Sequence, residues 1–339
     1  MPAVAPPSPV PALSPFDIPP FDTPPFDTPP FDISTVNVAA TLAPFRHGRT
    51  DPTTVLRSVG RGRTASGSFL HATHTPDGPG TVRVRWGLHG PDLQGWDVDS
   101  YGSGGEWLAG RIPRMLGSDD TGLAGVDTKG WSPTVTAALH ASRDVAIGAS
   151  SNLYHELLPT IVEQRITGHE AHRQWRRLCV ELSDPAPGPF PGLLLPPAPD
   201  RLLGRPAWWF HPLGIEGKRA MPLVELARHP ARLWEWADLP PHVAAGKLRL
   251  LRGVGAWTVG TVLATAMGDP DAVAVGDYHL KNVVGFALAG EARATDERML
   301  ELLSPYAGQR GRVIRALLRH GHRAPKFGPR QRILPMSRW

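Results

Sequence analysis

The spacing of apolar and polar residues changes along the chain. Thr81-Val82-Arg83-Val84-Arg85-Trp86 alternates between the two, as a strand with one buried face does. Thr75-Pro76-Asp77-Gly78 just before it predicts a turn, because Pro, Asp and Gly each suit a turn position. The stretches 55–59 and 69–72 are further strand candidates. Helical spacing then takes over. A short helix is predicted over 107–116 despite Pro113, and another over 132–141, with Ser132 as N-cap and Pro133 in the first helical position. The segment 153–166 places Leu157, Ile161 and Val162 on one face. Helices are also predicted over 170–182, 200–209, 218–228, 230–236, 278–288, 297–303 and 310–320, with a Pro-rich break at 184–199.

This pattern predicts an α+β chain in which a small mixed α/β domain at 45–148 precedes a larger helical domain at 149–322. Tails flank them. In 1–44, Pro-Phe-Asp recurs at 15–17, 20–22, 25–27 and 30–32; proline blocks helix, so a disordered, extended tail is expected. The stretch 323–339 carries Pro, Gly and Arg without periodicity and reads as a basic tail.

Charge sharpens the division. The net charge of +5 combines a first 44 residues with four Asp and no Lys or Arg with a last 33 holding nine Lys and Arg and no acid. So basic an end suggests a polyanionic partner, a solvated tail being the plainer reading. One cysteine, Cys179, excludes an internal disulfide and a four-cysteine iron–sulfur cluster, and fits a reducing, cytoplasmic setting. His169 and His172 lack the partners a zinc site needs. No run approaches ~18 apolar residues, so no membrane span is expected. A monomer without cofactor is the expected form.

The chemistry concentrates near residue 250. Leu251-Arg252-Gly253-Val254-Gly255-Ala256-Trp257-Thr258 reads as a tight glycine turn between two helices, with Gly253 and Gly255 supplying backbone freedom. The N–H groups of such a turn and of the next helix's first residues, Gly255 and Ala256 among them, form a phosphate site that needs no side chain. Lys247, Arg249 and Arg252 flank it. A dinucleotide fingerprint does not fit, since its third glycine would be Gly260, two positions late, after a helix rather than a strand. A plain helix–turn–helix corner remains open. Asp277 follows 22 residues after Gly255 and either caps the next helix or does chemistry.

These residues resemble the helix-hairpin-helix-GPD superfamily of DNA base-excision glycosylases, and within it the DNA-3-methyladenine glycosylase II branch. Leu251, Gly253, Val254, Gly255 and Thr258 match the family's hairpin motif, and Asp277 its acid. Asp277 with His279 is a form also found in the endonuclease III branch; Asp277, Tyr278 and Lys281 reproduce the methyladenine form. The match is strongest over 246–288 and weaker over about 150–322. It implies a mostly helical helix-hairpin-helix glycosylase domain preceded by the small mixed domain, acting on double-stranded DNA with a damaged base. Bifunctional members carry a Lys just before the motif Thr; here Trp257 stands there, which implies a monofunctional enzyme that uses water.

The resemblance also assigns roles. Asp277 would stabilise the oxocarbenium ion and position or activate water as an alkylated purine of the 3-methyladenine type leaves. A flipped, cationic base would stack in an aromatic pocket, with Trp257 and Tyr278 the leading candidates, Trp208, Trp209, Trp131 and Trp107 behind them, and Gln164 in the pocket interior. Gly253, Gly255, Ala256, Thr258, Lys247, Arg249, Arg252 and Lys281 would hold DNA. The carbonyls of Arg249, Leu251 and Val254 are where a monovalent cation would sit. A glycosylase for another damaged base, or a non-catalytic DNA-binding module, remain the alternatives.

Overall fold

A computed structural model describes residues 31–87 and 95–325. Four antiparallel strands form a meander, β1 (Thr54–Val59), β2 (Ser66–Thr75), β3 (Gly78–Trp86) and β4 (Trp96–Tyr101). The predicted turn joins β2 to β3 with Thr75 opposite Gly78. Thr75 Oγ1 donates to the Gly78 carbonyl at 2.8 Å and accepts the Asp77 N–H at 3.2 Å. β4 is an addition to the predicted strands. Its Asp97 and Asp99 stand opposite Arg85 and Arg83 of β3, so the polar positions of the two strands pair across the ladder.

Both faces of the sheet are covered. Phe69, Val82, Val84 and Val98 pack against α1 (Val38–Leu42), α2 (Gly105–Ala109) and α3 (Ile112–Met115). The last two divide the single helix predicted over 107–116, with Pro113 in the first turn of α3. Leu70 and Ala72 face the other way, onto Phe190, Leu193 and Leu195 of the Pro-rich stretch. That stretch, expected as a break, is tied down by a Pro185–Leu194 bridge and by the Leu194 N–H on the Pro52 carbonyl at 2.8 Å.

Two expected boundaries move. Ile33, Val36, Val38 and Leu42 are buried against the sheet, so the folded part begins well inside the tail expected over 1–44. The repeats at 15–17, 20–22 and 25–27, the start of the fourth, and 326–339 lie outside the described residues. The helix α4 (Pro133–Ala141) starts as predicted, Ser132 accepting the Val135 N–H at 3.3 Å. It packs on the C-terminal helices rather than on the sheet, so 148 is no boundary of packing.

The helical body surrounds α5 (Leu153–Glu163), buried at every position from Leu153 to Val162 rather than on one face. Around it and after it run α6 (Gly168–Leu182), α7 (Pro199–Leu202), α8 (Gly217–Leu226), α9 (Pro230–Ala237), α10 (Pro241–Leu248) and α11 (Ala256–Ala266). The helix predicted over 200–209 is instead α7 and a 3-10 helix, Ala207–Leu213, because left-handed Gly204 and then Pro206 interrupt it. A second apolar cluster joins α4 to α12 (Leu280–Ala289), α13 (Asp296–Leu303) and α14 (Arg310–Arg319).

A polar layer lies between the sheet and α5. His155 bonds Thr73 Oγ1 at 2.9 Å through Nδ1 and Thr53 Oγ1 at 3.3 Å through Nε2, and stacks on His71 at 4.8 Å. His47 lies 3.7 Å from Glu156 and 3.6 Å from Glu163. Burial holds His71 down to about 4, whereas the carboxylates around His47 outweigh burial and raise it to about 10.

Candidate active site

The hairpin joins α10 to α11, and its glycines differ in what they do. Gly253 has φ +87°, and a Cβ there would lie 2.2 Å from Pro222 Cγ of α8. Both the turn and the packing exclude a side chain. Gly255 has extended backbone, φ −96° and ψ −176°, and a Cβ would meet nothing within 4 Å. The expectation that both glycines serve the turn is therefore corrected: only Gly253 does. Gly255 gives α11 no side-chain cap, so the unpaired N–H groups of that helix start, Ala256 included, face an approach left open by the missing Cβ.

Around this opening, Arg249 and Arg252 are exposed, and neither has an ion pair among the described residues. The Lys247 ammonium sits 5.9 Å from the Trp236 ring centre. Leu250 is 81% exposed, a large apolar side chain beside the turn that sequence reading passed over because it looked like part of the helix. The Leu251 carbonyl accepts the Val254 N–H at 3.1 Å, so one of the three carbonyls named for a cation is already engaged on one side.

Two residues turn inward, away from their expected roles. Thr258 is 2% exposed and out of reach of a phosphate. Gln164, at the end of α5, donates its amide hydrogens to the Gly253 carbonyl at 3.0 Å and to Thr258 Oγ1 at 2.9 Å. It braces the hairpin; with both donors committed there, it does not present them to a base.

The loop carrying Asp277 lies directly on α11. A Cβ on Gly260 would stand 2.1 Å from the Val273 carbonyl oxygen, so only glycine permits this approach. Two clamps fix the loop. Arg310 donates to Asp271 Oδ1 from its backbone N–H at 3.0 Å and from Nε at 2.8 Å. Asp296 accepts the Gly276 N–H at 3.0 Å on one oxygen and Lys281 Nζ at 3.3 Å on the other. Lys281, expected to hold DNA, is thus engaged within the protein. Asp296 carried no sequence signal beyond its place at the start of α13.

Asp277 is held at both oxygens. Oδ1 accepts the N–H groups of His279 and Leu280, each at 2.8 Å, which is the capping role. Oδ2 accepts the indole N–H of Trp257 at 3.2 Å. Capping does not use up the carboxylate: Asp277 is half-buried, and Oδ2 keeps lone-pair capacity beyond the indole contact. Of the six aromatic candidates, Trp257 is the one bonded to Asp277. Tyr278 is 77% exposed and meets His279 edge-on, so it forms no enclosed wall. Trp107 packs on Trp234, Trp131 on Tyr306 and Trp209 on Phe210, while Trp208 is exposed.

Among the described residues of the C-terminal basic run, four arginines are engaged within the protein. Arg310 holds Asp271, Arg312 holds Asp120, Arg315 donates to the Ala264 carbonyl, and Arg323 to the Leu318 carbonyl. His172 faces Glu163 at 3.9 Å, and His169 is exposed.

The fold is similar to that of solved DNA glycosylases. A 3-methyladenine DNA-glycosylase from Archaeoglobus fulgidus superposes with a TM-score of 0.62 at 16% identity, over 84% of this chain and 94% of that one. An 8-oxoguanine glycosylase/lyase from Clostridium acetobutylicum gives 0.55 at 13% identity in its apo form, over 85% and 92%. The same enzyme in complex with double-stranded DNA gives 0.55 at 13%, over 86% and 91%. At such identities the likeness is one of fold, an α+β chain dominated by helices. No family model and no curated protein sequence matches the chain.

Proposed function

We propose that this protein is a monofunctional DNA glycosylase that hydrolyses the N-glycosidic bond of an alkylated purine, of the 3-methyladenine type, in duplex DNA. The observation that carries the reading is the Trp257–Asp277 contact beside an open, uncapped hairpin helix. The hairpin would seat the phosphates on backbone N–H groups, with Arg249 and Arg252 adding charge. The extruded nucleotide would then face Asp277.

Breaking the bond builds positive charge on the deoxyribose, which a carboxylate stabilises. Oδ1 is fixed by two backbone donors, so Oδ2 is the oxygen to face the sugar and orient water. A purine methylated at N3 or N7 is already cationic and leaves without a second acid, so one carboxylate suffices. A Schiff-base route needs an amine at the site; Trp257 occupies the position where the resembling lyases carry it, and the Lys281 ammonium is held by Asp296. The indole keeps Asp277 in register, and its electron-rich face would attract a cationic base.

The test is base release from duplexes carrying one 3-methyladenine, 7-methylguanine or 8-oxoguanine, scored as abasic sites with and without alkali. Strand breaks are expected only after alkali. Asp277→Asn should lower the release rate by about 10²–10³-fold at an unchanged melting temperature. Full release by that variant sinks the assignment. Release of 8-oxoguanine alone would move the substrate class, and binding without release would leave a DNA-binding module.

A further inference from the structure

A cavity of about 400 Å³ opens between α4, α14 and the 122–147 stretch. It shares no lining residue with Asp277, Trp257 or the hairpin. Trp131, Leu139 and Ile147 give it apolar walls, and four arginines reach it: Arg143, Arg312, Arg315 and Arg319. No Asp or Glu is among its lining residues.

The charges there do not balance. Arg312 is neutralised by Asp120, with Nη1 3.2 Å from Oδ2. Arg315, half-buried, donates to the Ala264 carbonyl, a neutral acceptor. Arg143 donates to the His140 carbonyl at 3.2 Å, also neutral. Arg319 is exposed and has no ion pair among the described residues. Asp120 and Asp269 are the acids that act on Arg315 from beyond the lining, and Asp120 already holds Arg312. Burial, then the neighbouring Arg312, lower the Arg315 guanidinium to about 10. Three arginines without a carboxylate of their own among the described residues thus line one apolar cavity. Like charges gathered on an apolar wall favour an anion between them.

We infer that this cavity binds a mononucleotide, its phosphate on Arg315, Arg319 and Arg143 and its base against Trp131. A phosphate offers three oxygens to three guanidiniums, where a carboxylate offers two. The volume lies within the range of small-molecule sites, mostly apolar with a few converging polar groups. The nucleotide is either free or the 5′-phosphorylated end of a DNA strand; both present the same group.

The experiment is calorimetric titration of the full-length protein with dAMP. Saturable binding that weakens with salt is expected, with deoxyadenosine and inorganic phosphate each at least about tenfold weaker. The double variant Arg143→Ala/Arg319→Ala, exposed at both positions, should keep its melting temperature and base-release rate while losing dAMP affinity at least about tenfold. No binding at millimolar dAMP overturns the inference, as does unchanged affinity in the double variant. Binding lost in Trp257→Ala but intact in the double variant overturns it too, by placing the nucleotide beside Asp277. Displacement of dAMP by a 5′-phosphorylated lesion-free duplex, and not by the unphosphorylated one, identifies a strand end. Displacement by neither identifies a free nucleotide. Because the double variant leaves Asp277 untouched, loss of dAMP binding and loss of base release are read separately.

Discussion

Gly253 and Gly255 occupy the same motif and answer to different demands. Gly253 is required by the fold: its backbone is left-handed and Pro222 fills the space a side chain would take. Gly253→Ala should destabilise the protein by about 1–3 kcal/mol, read as a lower melting temperature. Gly255 meets no such demand, so Gly255→Ala should fold normally and bind lesion-free duplex several-fold more weakly, read by titration. A Gly255→Ala protein with full affinity would remove the hairpin's N–H groups as the phosphate seat. In the sequence the two look alike, because a motif records which residue stands where but not whether the chain or a partner requires it. Gln164 is the same lesson in reverse. Its place on α5 was legible, but its partners, Gly253 and Thr258, stand 89 and 94 positions away.

At the level of elements, the loop over 269–277 is positioned by three helices that come from different parts of the chain. Asp296 on α13 and Arg310 on α14 hold its two ends, and Gly260 on α11 receives its middle. Asp296→Ala removes both the Gly276 and Lys281 contacts. Its single-turnover release rate should drop about tenfold while DNA affinity stays near wild type, and Asp296→Asn should recover part of that rate by still accepting the Gly276 N–H. Equal losses in both variants would point to the charge on Asp296 rather than to loop position. The hairpin, β3 and the start of α4 were legible because local chemistry specifies them: a glycine turn, an alternation, a Ser-Pro cap. β4 was not, since Asp97 and Asp99 make sense only opposite Arg85 and Arg83. The full burial of α5 was hidden by His155 and Glu156, whose partners lie on the sheet and around His47.

Across the whole molecule, the layer between sheet and helices links stability to pH in two directions. His47 is raised to about 10 by Glu156, Glu163 and Asp51 against the opposing effect of burial, from 6.5 when exposed. Its contribution is full below about pH 6.5 and lost as pH rises toward 10. His71 is lowered to about 4 by burial, so its contribution is full above 6.5 and lost as pH falls toward 4. Melting temperature should therefore peak near neutrality and decline on both sides. His47→Gln should flatten the alkaline limb and His71→Asn the acid limb; limbs unchanged in both would locate the titrating groups elsewhere.

The packing of α4 on α14 has a temporal side. Asp120 and Arg312 are 192 residues apart in the chain, and the clamp on Asp271 comes from Arg310. As the polypeptide leaves the ribosome, the meander of strands can pair from neighbouring segments at once, whereas α4 must wait until α14 has been made. The loop bearing Asp277 gains its clamp from Arg310 at the same late moment. A nascent chain halted before α14 would carry every residue that touches Asp277 and still lack the Arg310 clamp on the loop that bears it.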